Sequence, residues 1–115
     1  MRIRRIVPDL HGDPAASRAF YEDVMGLELG MDLGWIATFA STSNETAQLS
    51  VMSSDATAAV APDVSIEVED VDAVHAKAVG RGCEIVHPLT DEPWGVRRFF
   101  VRDPNGAVIN VMRHF

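Results

Sequence analysis

The chain has 115 residues, of which 47% are hydrophobic, the size and composition of one globular domain. Its formal net charge of −7 argues against a nucleic-acid partner, because phosphate backbones are bound by concentrated lysine and arginine. Cys83 is the single cysteine, which excludes an internal disulfide, and no apolar stretch approaches the ~20 residues of a membrane span. Because residues 1–5 also lack a signal-peptide pattern, we predict a cytoplasmic protein without a membrane partner.

The first predicted element after an N-terminal strand is a capped helix. Asp13 is the expected N-cap and Pro14 is a favourable first helical residue. Apolar residues at helical spacing, which we expect to pack on the core, are Ala16, Phe20 and Val24.

A second helix of the same design begins at Asp70. Val71, Val74 and Ala78 share one face, and Gly80 is expected to end the helix. The two caps lie 70 − 13 = 57 positions apart, which is half the chain. This spacing indicates an internal duplication.

Each helix is preceded by one strand-like run and followed by three. The predicted strands cover residues 3–7, 28–31, 35–41, 47–53, 64–68, 84–87, 97–102 and 108–113. The order βαβββ therefore occurs twice, which predicts a single α+β domain over residues 1–115. Module one covers about 1–54, a linker about 55–62, and module two about 63–115.

The last two strands flank a turn at residues 103–106, Asp-Pro-Asn-Gly, in which proline and glycine supply the backbone angles of a hairpin. With a bulge at Gly106, Phe100 should oppose Asn110. Arg98 and Met112 should then lie on the same face of the sheet as this pair. Phe99 should point to the opposite face.

Three segments resemble the glyoxalase, bleomycin-resistance and dioxygenase group, the vicinal oxygen chelate superfamily. They are residues 19–27 (AFYEDVMGL), 67–72 (EVEDVD) and 103–106 (DPNG), which occur in the order and at the spacing of that family. The resemblance covers nearly the whole chain. It implies two βαβββ modules that form a curved, mostly antiparallel sheet around a cleft, and it implies a homodimer.

The metal enzymes of this family draw histidine, glutamine or glutamate ligands from the first and last strand of each module. The matching positions in this chain are Ile6, Gln48 or Ser50, Asp63 and Asn110. This set lacks histidine and keeps one carboxylate, so we predict no metal and no cofactor. The four histidines, which we interpret as surface or packed residues, are His11, His75, His87 and His114.

The expected cleft is lined by aromatic, methionine and a few polar side chains, the usual composition of a small-molecule pocket. The predicted ligand-binding residues are Trp35, Gln48, Ser50, Met52, Asp63, Trp94, Arg98, Phe100, Asn110 and Met112. No catalytic cluster is recognisable in the sequence.

These features favour a metal-independent binding protein that resembles the bleomycin-resistance branch and sequesters an aromatic antibiotic or metabolite. An alternative is a glyoxalase-related lyase or isomerase, or a dioxygenase, with an atypical metal site that uses Asp63 and water. A third reading is a metal-free enzyme with Asp63 or Glu67 as its base. The sequence leaves open whether the protein is catalytic.

Overall fold

The computed structural model describes residues 2–115 and divides them into two compact units. The N-terminal unit contains residues 7–61, and the C-terminal unit contains residues 2–6 together with residues 62–115. Strand β1 (Ile3–His11) contributes its first residues to one unit and its last residues to the other. Within residues 2–115, no helix is long and apolar enough to cross a membrane.

The N-terminal unit is a four-stranded sheet in the order β2-β3-β4-β1, with one helical segment. Its elements after β1 are α1 (Pro14–Arg18), a π-helical stretch (Ala19–Val24), β2 (Glu28–Asp32), β3 (Ile36–Ala40) and β4 (Gln48–Met52). Strands β2, β3 and β4 are antiparallel neighbours, whereas β1 runs parallel to β4. Ala37, Phe39 and Val51 form the core of this unit.

The first helix begins as predicted, but its buried stripe was predicted wrongly. Asp13 caps it by accepting hydrogen bonds from the backbone N–H groups of Ala15 and Ala16 at 3.0 and 3.3 Å. The helix then widens into the π form, and this changes the angle between successive side chains. Phe20 and Val24 are 51% and 70% exposed, and Ala16, in the regular α-helical turn before them, is exposed as well. The side chain that packs against the core is Tyr21.

The C-terminal unit repeats the pattern with the order β5-β8-β7-β6. Its elements are β5 (Val64–Val68), α2 (Val71–Gly80), β6 (Ile85–Glu92), β7 (Val96–Arg102) and β8 (Val108–His114). Strand β8 is parallel to β5 and antiparallel to β7. The start of β1 joins this unit, and the Glu69 N–H donates to the Arg2 carbonyl at 3.0 Å. The predicted α+β fold with two βαβββ modules is confirmed.

Helix α2 covers one face of the C-terminal sheet. Asp70 caps it by accepting a hydrogen bond from the Ala73 N–H at 3.0 Å. Val71, which is buried, packs with the buried Phe99 and Val111, and the partly buried Val74 and Ala78 join the same core. The predicted apolar stripe of this helix is therefore confirmed.

The final hairpin has the predicted register. Phe100 pairs with Asn110 and Arg98 pairs with Met112, so these four side chains share one face. At the turn, Gly106 has a φ of +90°, a conformation that favours glycine. The Asp103 side chain accepts hydrogen bonds from the N–H groups of Asn105 and Ala107 at 2.8 and 2.9 Å, which holds the turn closed.

Candidate functional site

A row of side chains crosses the C-terminal sheet on the face that points away from α2, which we call the distal face. Strand pairing places Ser65 beside Asn110, Asn110 beside Phe100, and Phe100 beside His87. The row thus takes one residue from each of the four strands. Adjacent strands are about 4.8 Å apart, so the side chains of such a row contact one another directly.

Asn110 is the residue of this row whose hydrogen bonding is incomplete. It is only 8% exposed, and its Nδ2 group donates to the Ser65 hydroxyl at 2.9 Å. Its Oδ1 atom is buried and has no hydrogen-bond partner among residues 2–115. A buried carbonyl oxygen without a donor costs about 1 to 3 kcal/mol, so this arrangement is unfavourable unless another molecule supplies the donor.

A buried ionic cluster lies beside the row. The Arg98 Nε donates to Glu92 Oε2 at 2.7 Å, and His87 Nε2 lies 3.2 Å from the same oxygen. All three residues are less than 10% exposed. A buried carboxylate shared by two partners is expensive to disrupt, because removing one partner leaves charge without compensation.

Aromatic rings enclose the guanidinium group of this cluster. The Cζ atom of Arg98 lies 4.8 Å from the centre of the Trp94 ring and 4.6 Å from the centre of the Phe100 ring. These are cation–π distances. The ring of His87 is 5.0 Å from that of Phe100. The ligand contact of Arg98 stays a prediction, and in the structure its guanidinium group contacts Glu92 and both rings.

Glu67 lies on the distal face next to Met112 and is bonded at both carboxylate oxygens. Oε1 accepts from Arg5 Nε at 2.6 Å, and Oε2 is 2.8 Å from His114 Nδ1. Burial alone would raise the pKa of Glu67, but the hydrogen bonds and charges of His114 and Arg5 outweigh it and hold that pKa below its ordinary value. Such a carboxylate is a weak base, which disfavours the reading of Glu67 as a catalytic base.

Asp63 forms hydrogen bonds through both its side chain and its backbone. Its Oδ2 atom accepts a hydrogen bond from the Val108 N–H at 2.8 Å, and its own N–H donates to the Val108 carbonyl at 2.8 Å. The two bonds fasten the start of β5 to β8. The cross-strand neighbour of Asn110 is Ser65, and Asp63 lies just before β5, so the contact of Asp63 with a ligand stays a prediction.

The positions matched to metal ligands do not fit a divalent cation. Ile6 is exposed and aliphatic, and the residue of β1 that pairs with Ser50 is Asp9. Asn110 and Ser65 offer neutral oxygens, which are poor ligands for a transition metal. His87 and Glu92 are adjacent, but the charge of Arg98 repels a cation there. Among residues 2–115, no group of three or more His, Cys, Asp or Glu side chains could hold a metal ion.

The other four predicted ligand-binding residues belong to the N-terminal unit. The Ser50 hydroxyl hydrogen-bonds the Thr38 hydroxyl at 2.8 Å, and the Gln48 side chain donates to the Glu45 carbonyl at 2.7 Å. Met52 lines an open cavity of about 500 Å³ together with residues at the start of α1. Trp35 precedes β3, and its carbonyl accepts from the Ser53 N–H at 3.0 Å. Their contact with a ligand stays a prediction.

Sequence reasoning missed two residues of functional interest, Asp9 and Glu92. Asp9 directly follows Pro8, and Glu92 lies four residues after Pro88. Each of the two strands was predicted to end just before its proline. His87 was recognised only as a surface or packed residue. No regular apolar alternation continues past Pro88, because the register of β6 shifts between His87 and Thr90.

The chain was compared with protein families and solved structures. A family model described as the Glyoxalase/Bleomycin resistance protein/Dioxygenase superfamily matches residues 10–111. A comparison with curated proteins found no match.

Three solved structures illustrate the likeness. One, described as an NAD-dependent benzaldehyde dehydrogenase from Legionella pneumophila, is 17% identical with a TM-score of 0.75 and covers 96% of this chain and 99% of its own. A glyoxalase/bleomycin resistance protein/dioxygenase superfamily member from Vibrio splendidus 12B01 is 16% identical with a TM-score of 0.71, covering 97% and 99%. The Mn(II)-bound glyoxalase from Novosphingobium aromaticivorans is 24% identical with a TM-score of 0.67, covering 96% of this chain and 38% of its own. At these identities the likeness establishes the fold alone.

Proposed function

Because the chain belongs to the glyoxalase/bleomycin resistance protein/dioxygenase superfamily, we propose that it binds a small aromatic molecule on the distal face of its C-terminal unit without a metal ion. The observation that carries this proposal is the Oδ1 atom of Asn110, which is buried on that face without a hydrogen-bond donor. A ligand that supplies the donor would remove the cost of the unpaired oxygen. The free energy of binding would then gain from pairing this oxygen as well as from the buried contact area.

The surroundings of Asn110 suit an aromatic ligand. Phe100 lies directly beside it across the strand pair, and Met112 is two positions further along the same strand. Trp94 contacts Arg98, which lies on the same face as Phe100 and Asn110. The fluorescence of Trp94 should therefore report binding. Aromatic and thioether side chains give a planar ligand a large apolar contact with little loss of side-chain freedom.

Binding is favoured over catalysis because both candidate bases of the predicted set are occupied. Asp63 holds a backbone N–H of β8, and Glu67 bridges Arg5 and His114. The metal reading is disfavoured because the matched positions supply neither imidazole nor a free carboxylate. We extend the proposal to a cytoplasmic homodimer that sequesters an aromatic antibiotic or metabolite.

The proposal is tested by comparing two neighbouring phenylalanines. Phe99 and Phe100 are both fully buried but point to opposite faces of β7. Chelator-treated protein is screened with aromatic fragments by thermal shift, and each hit is titrated into wild type, Phe100→Leu and Phe99→Leu by tryptophan fluorescence. The Phe100 ring packs directly beside Asn110, so Phe100→Leu should disturb the face that the ligand uses and weaken binding roughly fivefold to tenfold, about 1 kcal/mol.

Phe99→Leu is the matched control, because it removes the same ring from the α2 side and should lower stability without changing affinity. Equal loss of affinity in both variants would show that the ligand does not use the distal face. A screen in which fragments bind only after a metal ion is restored would overturn the metal-independent reading.

A further inference from the structure

The first helix carries apolar side chains on the side that faces water. Its inner side is marked by Pro14, which is buried, and by Tyr21, which packs against the core of the N-terminal unit. Phe20, Val24 and Met25 are 51%, 70% and 58% exposed. The exposed alanines that extend this surface toward the start of the helix are Ala15, Ala16 and Ala19. We call these six residues the outer face of the first helix.

The outer face is unusual for a helix that packs on a sheet, because the solvent side of such a helix is normally polar. Half of the phenylalanine and most of the valine and methionine leave on the order of 300 Å² of apolar surface in contact with water. A contiguous apolar patch of this size on a single chain often marks a contact surface.

The outer face is complementary to itself when two copies of the helix lie antiparallel and are centred on Phe20. In that arrangement, residues equally far before and after Phe20 face each other across a two-fold axis. Ala16 then faces Val24, and Ala15 faces Met25. Each large side chain meets a small one, which allows the two helices to pack closely.

The charges of the helix also fit this arrangement. Arg18 of one copy faces Glu22 of the other, and Asp23 faces Ser17, so opposite charges meet and like charges do not. A parallel pair would instead place each charge opposite its own copy. Within one chain, Arg18 Nε lies 2.9 Å from Glu22 Oε2, and both side chains remain partly exposed at the border of the outer face.

The edge of the N-terminal sheet is less suited to contact with a second copy. Strand β2 is the last strand of this sheet, and it begins with Glu28 and ends with Asp32. Two copies paired antiparallel along their full length would place Glu28 opposite Asp32, and like charges in that position are destabilising. The helix is therefore the better surface for a symmetric contact.

We propose that two copies of this chain form a two-fold dimer through the outer face of the first helix. The proposal rests on the homodimer included in the proposed function and assigns its contact surface, and it does not require a ligand. A standard interface buries about 800 Å² on each partner, and the outer face supplies less than half of that as apolar surface. The dimer should therefore be weak, with a dissociation constant on the order of ten to a hundred micromolar.

The first test measures the mass of the full chain by sedimentation equilibrium from micromolar to millimolar concentration. The mass of wild type should rise from that of one chain toward that of two. Val24→Glu places a carboxylate in the contact and should raise the dissociation constant at least about tenfold. Val79→Glu is the matched control, because Val79 is a 53% exposed valine on α2, and it should leave the dissociation constant unchanged.

The second test measures the register of the two helices by disulfide formation. Both variants carry Cys83→Ser, because the native cysteine is exposed. Ala16→Cys and Val24→Cys proteins of different mass are mixed and mildly oxidised, and the disulfide between the two variants should exceed that within either variant about fivefold. Two copies of the same cysteine would be offset by about 12 Å along the helix axis. This offset exceeds the ~7 Å Cα separation that a disulfide tolerates.

The outcomes separate this proposal from the proposed function. A dimer that Val24→Glu leaves intact, or disulfides that form equally in all combinations, would overturn the assigned surface while the homodimer stands. A wild type that stays monomeric at millimolar concentration would overturn both, whereas aromatic binding on the distal face is decided by its own titrations. Should Val24→Glu lower the melting temperature, Ala16→Glu replaces it, because Ala16 is exposed and faces the same contact.

Discussion

Replacing Asn110 with leucine should make the protein more stable and a poorer binder. Leucine has the same branched skeleton of four heavy side-chain atoms as asparagine, with bulkier methyl groups, and it removes the buried Oδ1 atom, whose missing partner costs about 1 to 3 kcal/mol. The substitution also removes the 2.9 Å hydrogen bond from Nδ2 to Ser65, which is worth about 0.5 to 1.5 kcal/mol. The free energy of unfolding should therefore rise by about 1 kcal/mol, because removing the unpaired oxygen gains more than losing the hydrogen bond to Ser65 costs.

For a domain of this size, a gain of about 1 kcal/mol raises the melting temperature by about 4 °C. The assay is thermal unfolding of wild type and Asn110→Leu, together with fluorescence titration of a fragment that binds wild type. The expected result is a higher melting temperature and an affinity lowered roughly tenfold. Ser65→Ala is the control, because it removes the acceptor of the same hydrogen bond and leaves Oδ1 in place, so it should be less stable than wild type.

A fall of several degrees in the melting temperature of Asn110→Leu would refute this reasoning. It would mean that the amide is satisfied in the folded protein and that its role is structural. Affinity unchanged in a more stable variant would equally contradict the assignment of Asn110 to the ligand.

Three further results are expected. Asp70→Ala removes the cap of α2 and should cost about 1 kcal/mol in urea unfolding; no change would mean that the cap is dispensable. Because the pKa of Glu67 is lowered by folding, its stabilisation is present above its unfolded pKa and is lost as pH falls through its folded pKa. The stability gap between wild type and Glu67→Gln should therefore narrow as the pH falls below the ordinary pKa of glutamate in acid-unfolding curves, and a gap that widened would show the opposite shift. Treatment with EDTA should leave the melting temperature within error of the untreated protein, whereas a fall would indicate a bound metal ion.

The hairpin at the C-terminus could be predicted almost completely from the sequence. The turn residues fix the loop length, and the loop length fixes the register, so the pairing of Phe100 with Asn110 followed from local chemistry. Helix α2 was predictable for a similar reason, because its cap and stripe follow a regular helical period.

The π-helical stretch was not predictable from the apolar spacing. The N–H of Met25 donates to the carbonyl of Phe20 at 3.0 Å, five residues back, so the spacing of a regular helix no longer applies. Phe20 and Val24 therefore lie outside the core.

Two prolines shortened the predicted strands and concealed part of the candidate site. Proline has no N–H to pair and is uncommon inside a strand. Pro88 is tolerated because β6 is the last strand in the order of the C-terminal sheet and its register shifts between His87 and Thr90. Since the strand was predicted to end at His87, Glu92 was never considered as its neighbour. The contact between His87 and Glu92 depends on a β-bulge, and the pattern of a single sequence does not specify where a bulge occurs.

The central claim is that the distal face binds an aromatic molecule through Asn110 without a metal ion. The most direct measurement follows the side-chain amide resonance of Asn110 while chelator-treated protein is titrated with the aromatic fragments that stabilise it. Saturable shifts of that amide are expected, with small changes at Phe99 and His75 on the α2 side. Saturable binding that leaves the Asn110 amide unmoved, or that requires an added metal ion, would contradict it.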